Sequence, residues 1–293
     1  MNKKVFNKSG IAIDFGATKV SSSKIIKGKF KQNNTEKTLA FKNNKTYISQ
    51  IESIIQNQID TNTKKIGIAI TGRVDNKGNW YAVNKNNLGS FKIPLKKIFN
   101  NKFKVEIKIM NDASAACFGE SIYGKGRKFK RVGYITVSTG IGVGITIEKK
   151  PFISDSGLAG HLGFLTSSLG KMKCGSGRTG TFESIASGKA MSKIASQKGY
   201  KNKTAKEIFD NYFQNKKWAK EIVNLSAKSV SELCANLKAI YDIDVIILGG
   251  SIGMAKGYIQ LVKKNLKKEP KLFQVRLIKS SLGIKAAKMG VLI

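Results

Sequence analysis

Asp112 is the residue in this 293-residue chain whose type and setting best suit moving a proton. Val105, Ile107 and Ile109 lead into Met110-Asn111-Asp112-Ala113-Ser114-Ala115-Ala116, so a strand delivers a carboxylate to the start of a small-residue helix. Held there, a carboxylate is partly desolvated and rigidly aimed, which suits accepting a proton from a hydroxyl. Asp is also a favoured helix N-cap, and the local sequence leaves base and cap both open. A second carboxylate, Asp14, ends the apolar strand over 10–13 and is followed by Gly16-Ala17-Thr18-Lys19 and a returning strand over 20–26. The small residues of such a hairpin let backbone approach a phosphate, the Thr18 hydroxyl can donate to it, and Asp14 can hold a hydrated magnesium ion. An ordinary Gly-containing turn has the same local pattern. The type recurs where the strand over 132–137 opens into Ser138-Thr139-Gly140-Ile141-Gly142-Val143-Gly144, and two such hairpins can hold a polyphosphate from two sides. Finally, the apolar run over 245–248 enters Gly249-Gly250-Ser251 and a helix, an arrangement that puts backbone N–H groups where a nucleotide could sit.

The elements that must position these residues alternate strand and helix, an α/β pattern. Tyr47, Ile48, Ile51, Ile54 and Ile55 recur at helical spacing, and Ile66-Gly67-Ile68-Ala69-Ile70-Thr71-Gly72 returns to strand. The stretch before Tyr47 is polar and Asn-rich and reads as a connection. Asn84 to Gly89 is a loop dense in amides, which both donate and accept and so suit sugar hydroxyls. Residues 157–180 are glycine-rich and irregular, with the one histidine, His161, and Cys174-Gly175-Ser176-Gly177. A helix is expected to begin at Glu183 and run through Ala190, and Ile222, Leu225, Val230, Leu233 and Leu237 place another over 218–240.

Composition narrows the class. Hydrophobic content of 41% is that of a globular chain, and the length suits two lobes better than one. No apolar run is long enough to cross a bilayer and the start carries no signal-peptide cleavage pattern, which points to the cytoplasm. Three widely spaced cysteines argue against a disulfide framework. A net charge of +35 invites polyanion binding, but the excess is mostly Lys, travels with Asn and is scattered from Lys3 to Lys288; drift toward Lys and Asn accounts for it better than a selected nucleic-acid or membrane surface.

In order and spacing these segments resemble the ROK family of sugar kinases and repressors, in the actin-like ATPase superfamily, over nearly the whole chain. The motifs are residues 14–19, 84–89, 111–113, 136–142, Gly160-His161-Leu162-Gly163, Phe182-Glu183-Ser184-Ile185-Ala186-Ser187-Gly188 and 248–251. The resemblance implies a two-lobed actin-like ATPase (ribonuclease H-like) fold with a cleft between lobes, one over 1–113 and one over 114–293. It implies MgATP-dependent phosphorylation of N-acetylmannosamine at its 6-hydroxyl, a step of sialic acid catabolism. Asp112 would deprotonate the hydroxyl; Asn87, Asn111, His161 and Glu183 would hold the sugar, with Gly72 on the pocket floor. Asp14, Gly16, Ala17, Thr18, Lys19, Thr139, Gly140, Gly142, Gly249 and Gly250 would hold nucleotide. His161 favours N-acetylmannosamine over glucose or N-acetylglucosamine, because many glucokinases of the family carry glutamate there. A homodimer is the family expectation.

Three departures stand out. The family's structural zinc is held by a second histidine and three cysteines, whereas here those positions are Phe164, Cys174, Ser176 and Thr181, and neither Phe nor a neutral hydroxyl replaces imidazole or thiolate. No zinc is expected. Ala17 stands where a second glycine is usual, and the closing helix after Ala286 is expected to be short. A ROK repressor would need a DNA-binding module ahead of the first hairpin, for which the nine residues before Gly10 leave no room.

Overall fold

The computed structural model describes residues 5–39, 44–81 and 92–293. The chain divides into two compact units, each discontinuous in sequence. The first takes the described residues up to Lys128, then Gly144–Gly160 and Leu282–Ile293; the second takes Phe129–Val143 and His161–Ser281. The sequence reading separates its lobes once, at 113/114, whereas the chain passes between units at 128/129, 143/144, 160/161 and 281/282. Helix Asp112–Ile122 stays with the first unit because it packs on helix Ala286–Val291, where Gly290 lies against the Ala115 carbonyl and Gly119 against that of Ala286.

The first unit is built on β1 (Gly10–Phe15), β2 (Lys19–Ile26), β3 (Lys29–Lys37) and β4 (Lys65–Ile70). A small antiparallel sheet of β5 (Arg73–Val74), β6 (Trp80–Tyr81) and β7 (Lys92–Ile93) follows, and then β8 (Glu106–Asn111). The large sheet runs β3-β2-β1-β4-β8, with β1 antiparallel to β2 and parallel to β4, and β4 parallel to β8. The isoleucines of β1 and β4 are fully buried, as are Ile51 and Ile55 of helix Asn44–Gln56. Strands apolar on both faces are what a sheet covered on both faces demands. β3 is a strand that the sequence pattern hides. It is polar and exposed nearly throughout, is paired only with β2, and therefore shows no apolar alternation.

The second sheet comprises β9 (Arg131–Val137), β10 (Ile141–Ile147), β11 (Lys150–Pro151), β12 (Val245–Gly249) and β13 (Arg276–Lys279), in the order β11-β10-β9-β12-β13, with β12 parallel to both β9 and β13. The long helix Lys217–Tyr241 buries Ile222, Val230, Leu233 and Leu237, as its spacing predicts. The helix expected from Glu183 through Ala190 is two helices, Glu183–Ala186 and Gly188–Gln197. The break is at Ser187, whose extended backbone ends one helix and whose side chain accepts from the Ala190 N–H at 3.1 Å to cap the next.

Candidate active site

In the first unit the cap of helix Asp112–Ile122 is Asn111, not Asp112. Asn111 Oδ1 accepts from Ser114 N at 3.0 Å, and its Nδ2 donates to Gly72 O at 2.9 Å and to Asp112 Oδ1 at 3.0 Å. Ala113 N donates to that same Oδ1 at 2.8 Å, so the hydrogen bonds from Asp112's neighbours all fall on one carboxylate oxygen. Burial pushes the Asp112 carboxyl above the ordinary carboxylate range, against the opposing pull of those donors. A carboxylate made more basic and held by one oxygen has the chemistry of a general base.

Gly72 meets Asn111 through a turn that Trp80 pins. The Trp80 side chain is fully buried against Phe15 and Tyr47, and its Nε1 donates to Thr71 O at 2.8 Å. The next residue, Gly72, has φ +101°, and a Cβ there would meet Tyr81 O at 2.8 Å. Only glycine fits both the conformation and the space.

Asp14, in β1, is pushed up to about 7, first by burial and then by the Asp112 charge, with Lys288 and Lys19 opposing. The Asp112 charge raises Asp14, so the two carboxyls share one electrostatic neighbourhood, and a carboxyl there fits a magnesium ion held through water. Lys288, buried on helix Ala286–Val291, donates to Ser23 Oγ at 2.9 Å. The sequence reading missed Lys288; its signal was one lysine inside the apolar run Ala286-Ala287-Lys288-Met289-Gly290-Val291. After Asp14 the turn is tight. Gly16 N donates to Lys19 O at 3.0 Å, Thr38 Oγ1 donates to Gly16 O at 2.7 Å, and Ala17, Thr18 and Lys19 are exposed.

In the second unit the turn after β9 is half-buried. Ser138 O accepts from Gly188 N at 2.7 Å, and Thr139 O accepts from Lys189 N at 3.4 Å, so the start of helix Gly188–Gln197 fastens the turn. Glu183 Oε2 accepts from Ile141 N at 3.2 Å and lies where a Cβ on Gly140 would stand, 2.7 Å away. Burial raises the Glu183 carboxyl too, against the Ile141 N–H and the Lys189 charge. Gly142 is half-buried in β10, Gly249 ends β12 against the Tyr134 ring, and Gly250 opens the short helix Gly250–Gly253. His161 stacks on Phe164 with ring centroids 6.1 Å apart and planes at 11°.

The expected sugar residues thus divide, with Gly72, Asn111 and Asp112 in the first unit and His161 and Glu183 in the second. Asn87 lies outside the described residues. At the positions where the resemblance expects zinc ligands, Cys174 Sγ is 2.9 Å from Ser176 Oγ, Thr181 Oγ1 accepts from Ser184 N at 3.2 Å, and Phe164 packs on His161. Among the described residues no three His, Cys, Asp or Glu side chains gather as a metal ion would need.

An α/β chain in which parallel strands deliver a carboxylate to one helix start and turns to others belongs to a class that known proteins define closely. The ROK hexokinase of Thermus thermophilus superposes with a TM-score of 0.81 at 22% identity, covering 97% of this chain and 96% of its own, which shows the actin-like ATPase fold. The ROK family model matches residues 10–293, and the chain belongs to the ROK family. N-acetylmannosamine kinase from Vibrio cholerae is 32% identical over 266 residues, 90% of this chain and 91% of its own. The enzyme of the same name from Escherichia coli is 34% identical over 260 residues, 87% of each chain.

Proposed function

We propose that this protein transfers the γ-phosphoryl group of ATP to the 6-hydroxyl of N-acetylmannosamine, acting in the cytoplasm. The observation that carries the catalytic assignment is the division of labour between Asn111 and Asp112. Asn111 caps the helix, and the bonds to Asp112 from its neighbours fall on Oδ1, so Oδ2 is the oxygen offered to a substrate hydroxyl. Asp112 takes the proton of the 6-hydroxyl as its oxygen attacks phosphorus in line. Its raised proton affinity suits that task.

Gly72, Asn111, His161 and Glu183 hold and orient the sugar, and the turns at Gly16–Lys19 and Ser138–Gly140 receive the phosphates. Phosphoryl transfer leaves the protein little covalent work, so placing the two reactants is the main contribution. Asp14 would hold, through water, the magnesium that accompanies ATP, and the ion would offset the charge of the phosphate oxygens. The N-acetylmannosamine kinases of Vibrio cholerae and Escherichia coli support the choice of sugar. A coupled ADP-release assay across glucose, N-acetylglucosamine, mannose and N-acetylmannosamine tests it. The highest kcat/KM is expected on N-acetylmannosamine, and a higher value on glucose would overturn the sugar assignment.

A further inference from the structure

Within the second unit, His161 and Glu183 flank a long irregular loop. Its ends meet in a short ladder: Phe182 N donates to Leu165 O at 3.0 Å, Ser167 N donates to Gly180 O at 2.8 Å, and Thr166 bridges Thr181. On one side the ladder continues into a single helical turn, with Phe164 N donating to His161 O at 3.1 Å and Leu165 N to Leu162 O at 3.1 Å. On the other it continues directly into Glu183. An isolated two-stranded ladder is marginal in water, and Gly170, Gly175, Gly177 and Gly180 add no stiffness to the loop it closes.

What braces it is Glu232, from the middle of helix Lys217–Tyr241. Its Oε2 accepts from Ser167 Oγ at 2.7 Å and its Oε1 from Ser168 N at 2.8 Å. One carboxylate therefore grips the side chain of one residue and the backbone of the next. Bonds to an ionised acceptor are the strong kind, and two of them fix direction as well as distance. Ser167 is buried, and the helix that carries Glu232 is anchored by buried Ser231 and Leu233 on either side. A glutamate that merely faced solvent would make neither bond, and the function assigned above makes no use of this one.

We infer that Glu232 is a positioning residue for sugar binding: by clamping Ser167 and Ser168 to a rigid helix it fixes the base of the loop, and with it the His161 ring relative to the Glu183 carboxylate. The inference rests on the reading of His161 and Glu183 as sugar-holding residues.

The test uses the full chain. His161 is its one histidine, so the imidazole resonance in an NMR spectrum needs no assignment. Glu232→Ala is expected to move and broaden that resonance and to weaken N-acetylmannosamine binding about tenfold, while KM for ATP stays within about twofold. Glu232→Gln should recover most of the loss, because its amide oxygen still accepts from Ser168 N and its amide group can donate to Ser167 Oγ. Should Glu232→Ala prove unstable, the Gln variant together with Ser167→Ala carries the measurement. An unmoved resonance in the folded variant overturns the inference, as does an equal loss for both substrates that tracks a fall in Tm. A resonance that moves while N-acetylmannosamine affinity holds leaves the clamp in place and overturns instead the sugar-holding role of His161.

Discussion

The turn after β1 and the turn after β9 occupy the same place in two sheets of the same order, yet they are built differently. In β3-β2-β1-β4-β8 and β11-β10-β9-β12-β13 alike, the turn joins the central strand to the antiparallel neighbour that follows it in the chain. At the first turn Ala17, Thr18 and Lys19 are exposed, and support comes from one residue, Thr38. At the second, Ser138, Thr139 and Gly140 are half-buried between the start of helix Gly188–Gln197 and the Glu183 carboxylate. Topology fixes where a phosphate-sized turn can stand, and the packing around it decides which residues it tolerates. A methyl group is therefore accommodated at Ala17, whereas at Gly140 it would meet the Glu183 carboxylate, which must shift.

On the function proposed above, proton transfer falls to the unit with the open turn, and the His161 and Glu183 share of the sugar grip to the unit with the packed one. The largest expected effect tests the first half. Asp112→Asn should fold normally, because Asn111 supplies the cap, and should lose at least about a hundredfold in kcat with KM for the sugar changed much less. Near-normal turnover in steady-state assays would end the base assignment. Next comes Gly140→Ala, whose new Cβ would stand 2.7 Å from Glu183 Oε2 and must displace that carboxylate. We expect about a tenfold loss in kcat/KM with the rise in sugar KM dominant, since small misplacements of a positioning group are costly; unchanged kinetics would mean that the packed turn has slack.

A third effect is a pH dependence in the first unit. Asp14 has a folded-state pKa of about 7 against an ordinary value of 3.8, so between those values the folded chain keeps a proton that the unfolded chain has lost. Stability from this group is complete below about pH 4, falls as pH rises toward 7, and is flat above. Thermal melts without nucleotide or magnesium should show the Tm of Asp14→Asn gaining on wild type by a few degrees across that window; a constant difference would mean that Asp14 is not held in a desolvated site. Smallest is Ala17→Gly, with activity within about twofold and stability lower by up to about 1 kcal/mol in denaturant titration, from the extra freedom of the unfolded chain. A gain of tenfold would show that the open turn is more crowded than it looks.

Legibility in the sequence followed burial. The strands whose apolar residues fill both faces, β1, β4, β9 and β12, announce themselves, and so do the alternating strand β8 and the carboxylate that follows it. β3 does not, because a polar edge strand has no pattern to show. Nor does the break at Ser187, where the carbonyls of Ser138 and Thr139, far away in sequence, accept from Gly188 N and Lys189 N and make a new helix start worthwhile. Asn111 and Asp112 are both good caps by type, and only the hydrogen bonds tell which one caps. Lys288 and Glu232 act through partners some 265 and 65 residues distant, beyond the reach of local spacing.

Helix Ala286–Val291 belongs to the first unit although residues 161–281 of the second precede it in the chain. During translation, β1 to β8 and helix Asp112–Ile122 leave the ribosome with one face of that helix bare, and the two glycine contacts that cover it arrive only after the second unit has been made. The usual order, in which the earlier domain is finished first, is reversed. Lys288, whose charge opposes the rise in Asp14's proton affinity, arrives with the same helix, so Asp14 meets that counter-charge only after the second unit has been made.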